Sequence, residues 1–183
     1  MQAFKLLATV CRWQRRYAVL LFVLCIQTTL SAASIQVPPV SDLTELSQQA
    51  RQQRLPILLV VTQDHCPFCM LLKSDVIKPM LISGDYDNRV IIAELAYDTM
   101  QSIINFRGEK VLPGAVAADY KVWVAPTLLF LDADGVEVHK RMLGVNTIEM
   151  YGYYLDEALA AALKAVRAGP PYDYQPSKKD IGL

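Results

Sequence analysis

Runs of apolar residues predict the strands of a buried sheet. Residues 55–62 form an almost continuous apolar run, which is typical of a central strand covered on both faces, and Pro56 is tolerated because it stands at the start of that run. Residues 90–96 predict a second strand. The runs 127–131 and 136–143 are joined by an Asp-Gly turn and predict an antiparallel hairpin.

Helical spacing of apolar side chains predicts the helices of the first half of the chain. Residues 42–54 show this spacing directly after Ser41, which we expect to cap the helix N-terminus. Residues 66–77 predict a second helix, and Pro79 predicts that it stops or kinks at Lys78.

The second half of the chain adds two helices and one irregular stretch. Residues 97–112 have little periodicity and read as an insertion, and residues 113–120 predict a short helix. Residues 147–167 predict the longest helix, which Gly169 ends. Strands that alternate with helices ahead of a final hairpin predict an α/β fold, with a central mixed β-sheet flanked by helices on both faces.

The N-terminal residues 1–33 have the pattern of a secretory signal peptide. Basic residues precede the apolar run 17–26, and the small residues Ser31 and Ala33 follow it. The run is shorter than the roughly 20 residues that a membrane-spanning helix needs. We therefore expect export to the periplasm with cleavage after Ala33, and a membrane-anchored protein is the alternative if the signal is not cleaved.

The remaining chain divides into three parts. Residues 34–41 contain two prolines and predict an extended lead-in, residues 42–168 predict the folded domain, and the polar residues 169–183 predict a flexible C-terminal tail.

The charge balance excludes one broad class of partner. The whole sequence has 18 Lys and Arg residues and 18 Asp and Glu residues. Basic but no acidic residues lie in the predicted signal, so the remaining chain is mildly acidic. Binding to nucleic acid requires a basic face that neutralises phosphates. The composition therefore argues against a nucleic-acid partner.

The motif Cys66-Pro67-Phe68-Cys69 contains the only two cysteines outside the predicted signal, and it lies where the first strand meets the second helix. A structural disulfide stabilises a protein mainly by closing a long loop of the unfolded chain, and this pair closes a very short one. The spacing therefore indicates a redox pair that opens and closes rather than a structural crosslink.

The position of Cys66 at a helix start indicates which sulfur reacts first. Unpaired backbone N–H groups and a partial positive charge at a helix N-terminus favour a thiolate, the nucleophilic form of cysteine. We therefore expect Cys66 to attack a substrate disulfide and Cys69, one helical turn later, to resolve the mixed disulfide.

The order of elements and the place of the motif resemble the thioredoxin fold over residues 42–167. A second motif, Val124-Ala125-Pro126-Thr127, carries the same resemblance. The resemblance implies a cis peptide bond between Ala125 and Pro126, packed opposite the cysteines, where the backbone of Ala125 would pair with an extended substrate segment. A trans proline that merely starts the strand is the alternative, since cis is the minority state of X–Pro bonds.

Within this superfamily the pattern is most similar to exported thioredoxin-related proteins. Many thioredoxins carry a buried carboxylate six positions before the first cysteine, where this sequence has Val60, and a tryptophan immediately before it, where this sequence has His65. The carboxylate assists deprotonation of the second cysteine, so its replacement leaves that step without an evident proton acceptor.

Four residues around the motifs complete the candidate site. Pro67 suits the first helical turn because it has no N–H to lose, and Phe68 adds an apolar contact. His65 would favour the Cys66 thiolate if protonated, or it is an exposed loop residue if neutral. Trp123 either borders the substrate groove or fills the core.

Other aromatic and histidine residues have structural interpretations. Tyr151 and Tyr154 on the longest helix are interpreted as core or rim packing rather than substrate contacts. His139, on a hairpin strand, is interpreted as a surface residue.

The function that these features predict is that of a thiol–disulfide oxidoreductase. It would reduce or exchange disulfides of exported proteins through the Cys66/Cys69 dithiol, without a metal and with no cofactor other than its own redox-active disulfide. Because exported proteins occupy an oxidising compartment, we expect a membrane thiol-reducing electron donor as a partner. We expect a monomer.

Three alternatives remain open on the sequence. The exchange could run in the other direction, as in a disulfide oxidase or isomerase. The thiols could handle copper or zinc, although a closed structural zinc site takes four ligands and His139 lies far from the motif in sequence. The pair could also be an inert disulfide in a non-catalytic binding module.

Overall fold

The computed structural model describes residues 36–182. The predicted signal peptide, residues 1–33, lies outside the described residues, as do residues 34, 35 and 183.

Four strands form the main sheet in the order β2-β1-β5-β6. The central strand β1 (Ile57–Thr62) pairs in parallel with β2 (Ile91–Ala96) and antiparallel with β5 (Thr127–Leu131). The strand β6 (Glu137–Leu143) pairs antiparallel with β5 and completes the predicted hairpin. Every residue of β1 and β5 is buried, as expected of strands covered on both faces.

Helices cover both faces of this sheet. On one face lie α1 (Leu43–Gln53) and α4 (Pro113–Asp119). On the other lie α2 (Pro67–Leu72), α3 (Lys78–Ser83) and the long α5 (Ile148–Ala168). The α/β fold with a helix-flanked mixed sheet is therefore confirmed.

The alternation of side chains along β1 divides the core in two. Leu58 and Val60 face the layer that contains α5, whereas Ile57, Leu59 and Val61 face the layer that contains α1. Successive strand residues point to opposite faces of a sheet, so a single buried strand supplies both cores. This central position also fixes the end of β1, from which the chain enters the cysteine motif.

The stretch predicted as an insertion contains a small second sheet. The strands β3 (Ile103–Ile104) and β4 (Lys110–Val111) pair antiparallel with each other, and the turn between them contains Gly108 with φ +78°.

The cap of α1 corrects the sequence interpretation. Asp42 rather than Ser41 is the N-cap, since its Oδ1 accepts hydrogen bonds from Thr44 N at 2.7 Å and Glu45 N at 3.3 Å. The hydrogen bond from the Thr44 side chain lowers the pKa of Asp42 below its usual value. Ser41 instead accepts through its backbone oxygen from Ile104 N.

Of the two outcomes predicted at Lys78, a stop or a kink, the stop does not occur. A π-helical turn (Lys73–Ile77) follows α2, and Lys78 N donates to Lys73 O. The wider turn leads directly into α3, and Pro79, which has no N–H to donate, stands in the first turn of α3. The helical path ends only at Gly84, which has φ +72°.

The lead-in pairs with the outer edge of β2. Val40 N donates to Glu94 O, and Glu94 N donates to Pro38 O, both at 2.8 Å. This short parallel ladder covers part of the β2 edge.

The described part of the predicted C-terminal tail makes contacts within itself and with the domain, and its flexibility stays a prediction. Asp180 is buried, and its Oδ2 accepts hydrogen bonds from Ser177 N at 2.9 Å and Ser177 Oγ at 2.7 Å. Its backbone oxygen accepts from Trp123 Nε1 at 3.3 Å. Gly182 lies so close to Trp123 that a Cβ there would come within 2.8 Å of the indole. Hydropathy alone does not reveal these hydrogen bonds.

Candidate functional site

Cys66 occupies the N-cap position of α2. Its backbone is extended (φ −95°, ψ 108°), and its Sγ accepts a hydrogen bond from Cys69 N at 3.1 Å. Pro67 begins the helix, where its missing N–H leaves no hydrogen bond unmade. The sulfur therefore receives the N–H donors and the partial positive charge of a helix start.

A disulfide joins Cys66 to Cys69, with the two Cα atoms 5.2 Å apart. The two cysteines differ in solvent exposure, since Cys66 is half-buried whereas Cys69 is buried. Only Cys66 is therefore open to a large disulfide substrate, while Cys69 lies behind it within bonding distance.

The second motif lies against this disulfide. The peptide bond between Ala125 and Pro126 is cis, and the Ala125 carbonyl oxygen lies 3.9 Å from Cys66 Sγ. Pro126 O accepts a hydrogen bond from Gly144 N at 2.8 Å, which ties the loop to the end of β6. The structure thus brings together the two motifs that the sequence placed about 60 residues apart.

Two exposed aromatic residues flank the motifs. Phe68 is exposed on the first turn of α2. Trp123 is also exposed and does not fill the core, and its indole N–H is held by the C-terminal tail through Asp180. Of the two interpretations of Trp123, the structure favours a surface position beside the loop that contains Pro126.

His65 points into solvent. Its side chain is 92% exposed, and its Nδ1 lies 2.8 Å from Asp64 Oδ2. Its φ of +53° turns the chain into the helix start, and Asp64 N donates to the carboxylate of Asp98. The structure therefore pairs His65 with a carboxylate rather than with the Cys66 sulfur.

A carboxylate that sequence reasoning missed lies on the strand next to β1. Val60 is buried, and its register partner on β2 is Glu94. Glu94 Oε1 accepts hydrogen bonds from Thr62 Oγ1 and from Lys73 Nζ, both at 2.7 Å. The side chains of Lys73 and Glu94 are only 34% and 14% exposed. A partly buried ion pair thus joins the helix of the cysteines to β2, and only the parallel register could have revealed it.

The start of α5 contains a second feature that sequence reasoning missed. Tyr151 is buried, as the packing interpretation implies, but its hydroxyl has no hydrogen-bond partner among the described residues. Tyr154, interpreted in the same way, is exposed.

Comparison with known families assigns the fold family. A family model described as a thioredoxin-like domain matches residues 44–167. The chain belongs to the thioredoxin-like family. A comparison with curated protein sequences gives no match.

Among similar solved structures, the first supports the same fold. A structure described as DsbH oxidoreductase is 22% identical to this thioredoxin-like protein, with a TM-score of 0.52, and the match covers 76% of this chain and 92% of that one. A thioredoxin of Fasciola hepatica is 19% identical (TM-score 0.47), covering 68% of this chain and 97% of that one. Oxidised thioredoxin O2 of Arabidopsis thaliana is 19% identical (TM-score 0.45), covering 67% and 93%.

Within residues 36–182, no group of three or more His, Cys, Asp or Glu side chains is placed to hold a metal ion. His139 is half-buried rather than on the surface, with its ring centroid 5.5 Å from that of Phe130, and burial lowers its pKa.

Among the helices of the described part of the chain, none combines the length and the apolar character needed to cross a bilayer.

Proposed function

We propose that this protein is a thiol–disulfide oxidoreductase that acts on disulfides of exported proteins in the periplasm, mainly as a reductant. The observation that carries the proposal is the Cys66–Cys69 disulfide at the start of α2, with its accessible sulfur 3.9 Å from the Ala125 carbonyl oxygen that precedes a cis proline. A reactive sulfur beside the backbone that precedes a cis proline suits exchange with an extended peptide.

The exchange consists of two thiol–disulfide steps. The Cys66 thiolate attacks one sulfur of the substrate disulfide, so that a Cys66–substrate bond forms and the other substrate sulfur leaves as a thiolate. Cys69, after losing its proton, attacks Cys66 Sγ and releases the second substrate thiolate. The substrate gains two electrons and two protons. The enzyme, which entered the reaction as a dithiol, is left with the Cys66–Cys69 disulfide.

The helix start supports the first step. Cys66 Sγ already accepts the Cys69 N–H at 3.1 Å, and the same donor can stabilise a thiolate on Cys66 once the disulfide is reduced. Reduction itself requires a dithiol donor, and in an oxidising compartment we assign that role to a membrane thiol-reducing protein. The N-terminal pattern of residues 1–33 supports export.

Trapping with a Cys69→Ser variant tests this function. Without the resolving sulfur, the mixed disulfide between Cys66 and its substrate persists, so non-reducing electrophoresis of cells that export the variant should show discrete higher-mass species. Cys66→Ser is the matched control and should trap none. A Cys69→Ser variant that forms no such species would contradict the proposal.

The direction of exchange is measured separately. Equilibration of the purified protein with thiol buffers gives the reduction potential of the pair. A reduction potential of about −270 mV supports a reductant, and a reduction potential of about −120 mV would show an oxidant instead.

A further inference from the structure

The C-terminal tail follows the edge strand β6 from the hairpin turn towards the redox site. β6 is the last strand in the sheet order, and Tyr172 lies beside Asp132 at the turn that precedes it. Farther along the tail, the carboxylate of Asp180 lies within the electrostatic reach of Lys140 and Arg141 on β6. The tail therefore connects the end of the molecule that holds the hairpin turn with the end that holds the cysteines.

A buried carboxylate ties the tail to itself and to β6. Asp180 is only 4% exposed, and its Oδ2 accepts hydrogen bonds from the backbone and the side chain of Ser177. The Tyr174 hydroxyl also donates to this oxygen, at 3.5 Å. Burial and the Glu137 carboxylate raise the pKa of Tyr174 to about 12, so the phenol remains a neutral donor. A buried carboxylate with several donors is a built connection, because leaving it unpaired would be costly.

The same part of the tail holds the indole of Trp123. The indole Nε1 donates to the backbone oxygen of Asp180 at 3.3 Å. Gly182 has φ +71°, and a Cβ at this position would lie 2.8 Å from Cγ and 2.9 Å from Cδ1 of the indole. Only glycine adopts this backbone conformation without strain and lets the chain approach an aromatic ring so closely. The tail thus fixes both the N–H group of the indole and one side of its ring.

Trp123 stands close to the reactive sulfur in the chain that leads to the cis proline. It is two residues ahead of Ala125, so the two Cα atoms are at most about 7.6 Å apart, and the Ala125 carbonyl oxygen lies 3.9 Å from Cys66 Sγ. Trp123 nevertheless remains 58% exposed. Because more than half of the residue stays open to solvent, the tail orients the indole without covering it.

Protection of a sheet edge accounts for only part of this arrangement. An exposed edge strand pairs with other chains unless something covers it, which explains why a tail follows β6. Trp123 lies ahead of β5 and outside both strands of the hairpin, so its contact with Gly182 does not serve that purpose. The end of the tail therefore has a second role, at the redox site.

We propose that the tail is a positioning element for substrate recognition, which holds Trp123 in place so that a polypeptide disulfide gains a contact that a small disulfide does not reach. The proposal rests on the proposed function, to which it adds a preference for polypeptide substrates. A side chain that is held in one orientation before binding loses less conformational entropy when a partner packs on it. The tail residues are thus positioning residues, and they touch neither the sulfurs nor the substrate disulfide.

Single-turnover oxidation by two disulfides tests this role. The reduced protein is mixed with an excess of insulin, a polypeptide disulfide, or of oxidised glutathione, and the loss of the Cys66/Cys69 thiols is followed by quenched alkylation. Each reaction transfers two electrons and two protons from the dithiol to the added disulfide, so no further reductant is needed. Gly182→Ala should lower the rate constant for insulin by about two- to tenfold, the effect of preordering one side chain, and should leave that for glutathione unchanged.

Gly108→Ala is the matched control for backbone strain. Gly108 has a similar positive φ of +78°, but no atom lies within 4 Å of a Cβ built there. It should leave both rate constants unchanged. Deletion of residues 177–183 removes the contact with Trp123 altogether and should give the same selective loss as Gly182→Ala, at least as large. The fluorescence anisotropy of Trp123 should fall in Gly182→Ala and in the deletion variant, because the indole is then no longer held.

Three results would overturn the positioning role. They are an insulin rate constant that either tail variant leaves unchanged, an equal loss for insulin and glutathione, and a faster reaction with insulin, which would show that the tail obstructs the site. A wild-type dithiol that neither disulfide oxidises would instead overturn the proposed function, and the positioning role with it, so the two failures are distinguishable.

Discussion

The starts of α2 and α5 lie against the same loop but differ in how their donors are used. Both helices begin after an extended residue, Cys66 in one and Thr147 in the other. At α2 the capping sulfur accepts the backbone N–H of Cys69, whereas at α5 the Thr147 side chain accepts nothing. The first helix start is completed by its own reactive group, whereas the second has no side-chain cap. The reactive chemistry is therefore assigned to the start of α2.

The largest expected difference between the two helix ends concerns the ionisation of Cys66. In the reduced protein its thiol should ionise below the value of about 8.5 that a free cysteine shows, because the α2 start stabilises the thiolate. The pH dependence of alkylation by iodoacetamide measures this, with the urea-unfolded protein as the control. Identical profiles in the folded and unfolded protein would remove the distinction between the two helix ends.

The support beneath α2 can be weakened through Glu94. Glu94→Gln removes the charge that pairs with Lys73 but retains an acceptor for Thr62. Because the pair is partly buried, we expect a loss of about 1–3 kcal/mol in the free energy of unfolding, between the values of exposed and buried ion pairs. Urea unfolding measures it.

The control for Glu94 is an exposed ion pair elsewhere in the fold. Asp134→Asn breaks the ion pair with Arg51, in which both side chains are mostly exposed, and should leave the free energy of unfolding almost unchanged. Equal losses for the two variants would mean that Glu94 is no more than a surface partner.

The α5 start can be made more like that of α2 by giving it a cap. Thr147→Asp places an acceptor and a negative charge at the N-terminus, so the free energy of unfolding should rise by about 0.3–1 kcal/mol. Thr147→Ser is the control for size. A destabilised Thr147→Asp protein would show that this helix end does not need an acceptor.

An acid-dependent effect is expected of the tail that holds Trp123 next to the loop of the cis proline. The side-chain hydrogen bond from Ser177 lowers the pKa of Asp180. Its stabilising contribution is therefore complete above the unfolded-state pKa of about 3.9 and is lost as the pH falls through the lower folded-state value. The loss should amount to about 1 kcal/mol, as for a typical hydrogen bond.

Tryptophan fluorescence follows this release, because Trp123 is the only tryptophan in a chain that starts at residue 34. Below about pH 4 the emission should shift while the far-ultraviolet circular dichroism is unchanged. Asp180→Asn should abolish that transition. If the transition persists in this variant, the acid effect arises from another group.

The local pattern of apolar and polar residues was sufficient to predict much of the fold and the reactive cysteine pair. The apolar run of β1, the hairpin of β5 and β6, and the periodicity of α5 each follow from side chains that are neighbours in sequence. The position of Cys66 at a helix start follows in the same way, since the strand and the helix adjoin the motif.

Features that depend on pairing between distant segments could not be predicted. Thr62 and Glu94 are 32 residues apart, and only the register of two parallel strands makes them hydrogen-bond partners. The burial of Asp180 depends on how the tail folds back to Trp123, and the unpaired state of the Tyr151 hydroxyl depends on every element around it. The burial of a tyrosine can be predicted from sequence, but the absence of a hydrogen-bond partner for its hydroxyl cannot.

The ladder between the lead-in and β2 has a practical consequence for where the domain begins. A recombinant version that starts at α1 would lose the hydrogen bonds of Pro38 and Val40 to Glu94 and would leave the outer side of β2 unpaired. Unprotected strand edges recruit strands from other molecules. Such a shortened protein should self-associate on concentration, so any useful expression boundary belongs ahead of Pro38.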